Sequence, residues 1–215
     1  MNTVILVPVK DPSKAKARLA SILTPEQRCE LARTMLDDLA LALKPLGARV
    51  AFVTNSRPAG DLAAELGWRV FWETRQITES ASVDEASRRL AAEGVEAVLR
   101  LPADIPLVRS EDVRKLLDVR LQPRSAVLVP SRDRMGTNAV LRKPPDLFPS
   151  RFGRNSFVLH MQEALRVQAR VEVVELPRLA LDLDAPDDLR RFLDRREDTA
   201  TSRLLAGLDL MKRLT

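Results

Sequence analysis

Short apolar runs that alternate with amphipathic stretches constrain this chain most. The first, 3–9 (TVILVPV), is apolar on both faces and too short for a helix, which fits a strand buried inside a parallel sheet. Further strands are expected at 49–54 (RVAFVT), 68–72 (WRVFW), 95–101 (VEAVLRL) and 125–130 (SAVLVP). Between them lie helical patterns with start and stop signals. Thr24-Pro25-Glu26-Gln27 reads as a capping box with proline in the first turn, opening a helix to Lys44. DLAAELG (61–67) ends on a glycine stop. A second capping box, Ser82-Val83-Asp84-Glu85, is expected to open a helix to Glu93. Ser110 is expected to cap one to Gln122, and Asn155 one to Gln168. Two more helices follow, from Pro186 and from Thr199.

Strands alternating with helices imply an α/β fold of three layers, α/β/α, around a mostly parallel sheet. Residues 137–142 (TNAVLR) alternate like a strand, so 125–142 reads as antiparallel and the sheet as mixed. KPPDLFPS (143–150) is irregular because of its three prolines. RVEVVEL (170–176) and RLALDLD (178–184) read as two further strands. No repeat or low-complexity linker interrupts the 215 residues, which suit one domain spanning 1–215.

Composition excludes several classes. Hydrophobic residues make up 45% of the chain, so it is globular, yet no apolar run reaches the ~18 residues of a membrane span. MNTVILVPVK lacks the basic leader of a signal peptide, and Cys29, the single cysteine, cannot form an internal disulfide. Both point to the cytoplasm. The net charge of +5 comes from 28 arginines and 7 lysines against 30 acids. Such a surface attracts small anions or is simply laced with salt bridges. The basic residues are scattered and no nucleic-acid-binding signature stands out, so neither nucleic acid nor membrane is an expected partner.

Ligands of open α/β sheets bind beyond the carboxyl ends of the strands. Three loops carry unusual residues there. In VPVKDPSKAKARL, Lys10, Lys14, Lys16 and Arg18 follow the first strand and suit a triphosphate, or else form a solvated basic loop. In RLPADIPL, Asp104 sits between Pro102 and Pro106, as a hard-cation ligand or as a turn residue. In LALDLDAPDDL, Asp182 and Asp184 project to one face if the segment is a strand, and two such carboxylates repel unless a cation lies between them. Asp184 also suits a helix cap, and Asp187 and Asp188 suit the first turn after it. Together Asp104, Asp182 and Asp184 make a candidate magnesium site.

VPVK…AKARL, LPADIPL, GTNAVL, FGRNSF…H and LDLDAPDDL occur in that order across nearly the whole chain. The set resembles the 2-phospho-L-lactate guanylyltransferase family of coenzyme F420 biosynthesis, whose fold is of the nucleotide-diphospho-sugar transferase type. The resemblance implies transfer of a guanylyl group from GTP to a three-carbon phospho-acid (2-phospho-L-lactate, phosphoenolpyruvate or 3-phospho-D-glycerate) with Mg2+. It places Lys10, Lys16 and Arg18 at the nucleotide phosphates and Asp104, Asp182 and Asp184 at the metal. Thr137, Asn138, Gly153 and Ser156, with Gly136, fall around the phosphorylated acid, and His160 supports that loop. Where the family commonly carries Gly-Leu-Asn near the base, this chain has TESASVDEAS (78–87), so Glu79, Ser80 and Ser82 are the candidates for reading it. Other readings are a molybdenum-cofactor or sugar-phosphate nucleotidyltransferase, or a non-catalytic nucleotide-binding protein. The apolar stripe of TATSRLLAGLDLMKRL is expected to pack on the core or on a second subunit of a homodimer.

Overall fold

β1 (Thr3–Val9) is buried along six of its seven residues because neighbours flank it on both edges and helices cover both faces. The computed structural model describes residues 2–74, 78–208 and 210. β2 (Arg49–Thr54), β3 (Arg69–Trp72), β4 (Ala97–Arg100), β5 (Ser125–Pro130), β6 (Thr137–Lys143) and β7 (Arg170–Val173) complete one sheet, in the order β3-β2-β1-β4-β6-β5-β7. The pairs β1–β2, β1–β4, β2–β3 and β5–β7 are parallel, whereas β6 runs antiparallel to both β4 and β5. Six strands therefore end on the same edge of the sheet, and β6 begins there.

Alternate residues of β1 enter different cores. Ile5, Val7 and Val9 pack with α1 (Pro25–Leu43), α2 (Arg57–Glu65) and α4 (Ser110–Leu117). Val4 and Leu6 face α3 (Glu79–Ala92) on the other side, and α5 (Ser156–Arg166) covers Ala126, Leu128 and Val140 on that same side. The expected three layers are present. A further core gathers Leu31 and Met35 of α1 with Leu181, Leu183 and residues of α6 (Pro186–Asp194) and α7 (Ala200–Ala206). Asp38 of α1 accepts from the Ala200 and Thr201 N–H groups at 2.8 and 2.9 Å, a cap worth about 1 kcal/mol. The last helix thus packs on the core over 200–206; residues 209 and 211–214 of the expected segment lie outside the described residues.

Local signals hold where they are answered locally. At α1 the Gln27 N–H reaches the Thr24 Oγ1 at 3.3 Å, and the Gln27 Oε1 accepts from the Thr24 N–H at 3.0 Å, closing the capping box. Four expectations are corrected. α2 starts at Arg57, four residues before the expected start, with Pro58 in its first turn. α3 is capped by Thr78, whose Oγ1 accepts from the Ala81 N–H, so Ser82 lies inside the helix. Ser110 does not cap α4: its Oγ donates to the Ala42 carbonyl at 2.7 Å, Arg109 occupies the cap position, and the helix stops at Leu117. Asn155 sits at the cap position of α5 with φ 59° and makes no side-chain cap bond.

Residues 178–184 are not a sheet strand. Their backbone bonds go to loops: the Ala180 carbonyl accepts from Arg132 N–H at 2.9 Å and the Leu183 N–H donates to the Asp104 carbonyl at 3.1 Å. The segment opens as a turn, with the Leu179 and Ala180 N–H groups donating to the Leu176 carbonyl at 2.9 Å, and the alternation reflects the burial of Leu179, Leu181 and Leu183 in two cores. No helix among the described residues is long and apolar enough to cross a membrane.

Candidate active site

The chain leaves β1 to build β2 and β3 on one side, then returns to place β4 on the other side of β1. The crevice between the carboxyl ends of β1 and β4 is therefore the switch point at which open α/β sheets take ligands. The loop after β1 folds into two short 3-10 turns, Pro12–Lys14 and Ala17–Leu19. Lys16 stands between them with φ 56°, a left-handed conformation costing a non-glycine residue about 1–2 kcal/mol. Its side chain explains the conformation. The Nζ is buried (6% side-chain exposure) and donates to Asp104 Oδ2 at 2.6 Å and to Asp184 Oδ1 at 2.8 Å. Arg18, mostly exposed, bonds the other oxygen of Asp184. Lys10 is exposed, with its Nζ 3.9 Å from Glu79. The Lys14 side chain lies outside the described part of the loop.

The charges of this cluster are unevenly balanced. Burial pulls the Lys16 ammonium down, but the Asp104 and Asp184 charges outweigh it and hold the ammonium above its ordinary value. Burial favours the neutral acid of Asp104, and the Lys16 charge and hydrogen bond, with help from Arg100, overcome it and keep the carboxylate ionised. Asp182 fares differently. Burial and the Asp104 charge push its carboxyl up to about 6, with Asp184 adding to the rise and one hydrogen bond from Asn138 opposing it. That bond runs from Asn138 Nδ2 to Asp182 Oδ1 at 3.1 Å, and the other Nδ2 proton goes to the Leu179 carbonyl at 2.7 Å. Both amide protons of Asn138 are thus taken, and only its Oδ1 is left for a ligand.

Asp182 is a partly buried carboxylate that feels the Asp104 charge and has no ammonium of its own among the described residues, which suits a divalent cation of hard-oxygen preference. Among the described residues no three acids, imidazoles or thiolates converge into a closed cage. Magnesium does not require one, since it takes one or two carboxylates and completes its shell with water and substrate phosphates. The donor set fits that mode.

The opposite wall of the crevice is β6 and the start of α5. His160 Nε2 accepts from the Arg151 N–H at 2.8 Å. The neutral ring therefore carries its proton on Nδ1 and donates it to Thr137 Oγ1 at 3.0 Å. Ser156 Oγ donates to the same Thr137 oxygen at 3.4 Å. Thr137 Oγ1 thus accepts from the ring and lies beside the Ser156 hydroxyl, with both side chains buried at the start of β6 and α5. Burial, with the charges of Arg142, Arg100 and Arg151, depresses His160 to about 3 and keeps it neutral. Gly153 has φ 120°, a conformation open to glycine, and a Cβ there would meet nothing within 4 Å.

A third group of residues faces the ends of β1, β2 and β3. Arg100, buried at the last position of β4, donates to Glu79 and to the Thr137 carbonyl (3.3 Å), and stacks 4.0 Å over Phe152. It joins the helix bearing Glu79 to the wall bearing Thr137. Ser80 Oγ accepts from the Phe152 N–H at 2.8 Å and reinforces that join. Ser82 donates its one hydroxyl proton to Glu73, and its oxygen also lies 3.1 Å from the Thr78 carbonyl. A pocket lined by Val9, Lys10, Val53, Asn55, Glu73, Glu79 and Ser82 opens there. Sequence reasoning missed Arg100, Asn55 and Glu73. The only signal was position, each standing at or one residue past the end of a parallel strand.

Carboxylates, a buried lysine and exposed cations at the switch point of a mostly parallel sheet define the site of an α/β nucleotidyltransferase. The whole chain superimposes on a Desulfovibrio desulfuricans protein assigned as a nucleotide-diphospho-sugar transferase. The TM-score is 0.81 over 99% of this chain and 98% of that one, at 20% identity, a likeness of fold. A nucleotidyl transferase from Methanothermobacter also aligns, with TM-score 0.62 over 90% of this chain and 96% of that one, at 16% identity. The family model described as guanylyl transferase CofC-like matches residues 3–213. Phosphoenolpyruvate guanylyltransferase of Rubrobacter xylanophilus is 40% identical over 89% of this chain and 94% of its own length. For 3-phospho-D-glycerate guanylyltransferase of Colwellia psychrerythraea the identity is 34%, over 88% and 90%. The chain belongs to the CofC-like guanylyltransferase family.

Two expectations follow from the geometry. Lys16→Met strands two carboxylates, so the melting temperature should drop by an amount worth on the order of 2 kcal/mol, and turnover should fall about 100-fold. Calorimetry and steady-state rates check this, and an unchanged melting temperature contradicts it. For His160 the folded pKa of about 3 lies below the ordinary 6.5, so the unfolded chain takes up the proton first. The stability due to the neutral ring is complete above pH 6.5 and is lost as pH falls toward 3. It declines by roughly 1.4 kcal/mol per pH unit. The stability difference between wild type and His160→Gln should therefore shift against the wild type by on the order of 2 kcal/mol between pH 6.5 and 5. A pH-independent difference contradicts the buried neutral histidine.

Proposed function

We propose that this chain joins GTP to a three-carbon phospho-acid, releasing pyrophosphate, as a step in coenzyme F420 assembly. The observation that carries the reading is the Lys16-bridged Asp104–Asp184 pair, with Asp182 left without a cationic partner among the described residues and tied by Asn138 to the start of β6, where Thr137 and Ser156 meet. The names of the Rubrobacter and Colwellia relatives support guanylyl transfer to such an acid, and the first of them makes phosphoenolpyruvate the leading candidate.

A phosphate oxygen of the acid attacks the α-phosphorus of GTP, and the bond from that phosphorus to the β-phosphate oxygen breaks in line. The electron pair leaves with pyrophosphate. The attacking oxygen is already anionic near neutral pH, so no general base is needed, in keeping with a chain whose one histidine is buried and neutral. Catalysis is positioning and charge stabilisation. Lys10 and Arg18, exposed at the loop after β1, meet the triphosphate. Lys16 holds Asp104 and Asp184 in place. Asp104 and Asp182 would hold Mg2+, which when bound supplies positive charge to the phosphates. Thr137, the backbone at Gly153 and Ser156 receive the acid, and Asn138 acts mainly by holding Asp182.

Pyrophosphate release should require GTP, phospho-acid and Mg2+ together, and should stop with chelator. Asp182→Asn keeps an acceptor for Asn138 and removes the charge, so the fold should persist while turnover drops about 100-fold or more. No release with phosphoenolpyruvate, 2-phospho-L-lactate or 3-phospho-D-glycerate contradicts the proposal.

A further inference from the structure

The pocket at the ends of β1, β2 and β3 contains two carboxylates in opposite situations. Glu79 is answered by the buried Arg100 guanidinium on one oxygen and faces the Lys10 ammonium with the other. Among the described residues Glu73 is met by a hydroxyl alone: Ser82, itself buried in α3, donates to Glu73 Oε1. The Glu73 backbone is also fixed, since its N–H donates to the Thr54 carbonyl at 3.0 Å and so continues the β2–β3 pairing beyond Trp72. Val9 and Val53 line the same pocket as apolar wall, and Lys10 lies at its side toward the phosphate-facing loop. At the mouth of this pocket, a ligand edge with a pair of adjacent N–H donors is what the polar groups match. A negatively charged acceptor with a spare oxygen awaits that edge, and a cation stands where the attached phosphates leave.

We infer that Glu73 reads the base: its carboxylate accepts from N1–H and the 2-amino group of guanine, and Ser82 positions it. This rests on the guanylyl-transfer reading above and names the residue that selects the nucleotide. Adenine presents a bare N1 acceptor and a C–H at the same edge, so its entry leaves Glu73 unpaired and sets a lone pair against the carboxylate. A site built to hydrogen-bond a substrate donor rejects analogues that lack it far more strongly than an apolar pocket rejects a missing methylene. Within TESASVDEAS the roles divide accordingly: Glu79 is tied to Arg100, Ser80 to the Phe152 backbone, and Ser82 to Glu73.

The test measures kcat/KM for GTP, ITP and ATP at fixed phosphoenolpyruvate in the wild type, Glu73→Gln and Ser82→Ala. The wild type should prefer GTP over ATP by at least about 100-fold, and Glu73→Gln should cut that preference at least about tenfold. Ser82→Ala should raise the KM for GTP several-fold with kcat nearly unchanged, as expected of a positioning residue. A Glu73→Gln enzyme with the wild-type GTP-to-ATP ratio overturns the assignment. Should that variant not fold, ITP on the wild type decides: it lacks the 2-amino group and should be used about tenfold less well than GTP, and equal use overturns the proposal. A wild type that releases no pyrophosphate from any of the three nucleotides overturns the guanylyl-transfer reading itself. An active wild type with an indifferent Glu73 overturns only the base assignment.

Discussion

The Lys16 ammonium between Asp104 and Asp184 is the contact on which the architecture of the site depends. Its two partners lie 88 and 168 residues away along the chain, on the loop after β4 and on the segment before α6. The backbone bond from Leu183 to Asp104 runs alongside. Three chain segments with little else in common are thereby fixed at the end of β1. A buried ion pair adds little net stability over an apolar substitute, but removing one member leaves the other charge buried and alone. The lysine is therefore held in a left-handed conformation that no local preference favours.

The same contact divides the acids. With Asp104 and Asp184 bridged by Lys16, and Asp184 also met by Arg18, Asp182 is left without a cationic partner among the described residues, and burial and the neighbouring acids raise its proton affinity. Three equivalent carboxylates would repel one another, whereas two paired and one unpaired make a stable fold with a defined vacancy in charge. Across the crevice the polarity is reversed. The neutral His160 donates to Thr137 and fixes it beside Ser156. Arg100 joins the two sides by holding Glu79 and the Thr137 carbonyl at once.

Much of this was legible in the sequence wherever the signal is local. The run 3–9 and the Thr24–Gln27 capping box form as read, because a buried strand and a helix start are set by neighbours in the chain. Ser82-Val83-Asp84-Glu85 misleads because Thr78, one turn earlier, offers the same cap with its own three-residue spacing. RLALDLD misleads because alternating leucines are buried wherever a turn and the coil after it lie on a core, whether or not a strand pairs with them. Of the site, Lys16, Asp104, Asp182 and Asp184 could be named from their loops, but the bridging of two acids by one lysine could not. Asn138 was visible as a polar residue, and its occupation by Leu179 and Asp182 was not. Arg100 and Glu73 are single charges in or after a strand, and only the folded sheet reveals what each one meets.

The central claim is that the phosphate of the acid is the nucleophile and the α-phosphorus of GTP the centre attacked. It is tested most directly with phosphoenolpyruvate labelled with 18O in its non-bridging phosphate oxygens, with mass spectrometry of both products. All of the label should stay in the acid–diphospho–guanosine product, including the new bridge between the two phosphorus atoms, and the pyrophosphate should be unlabelled. Label in the pyrophosphate, or release of orthophosphate in place of pyrophosphate, would contradict it.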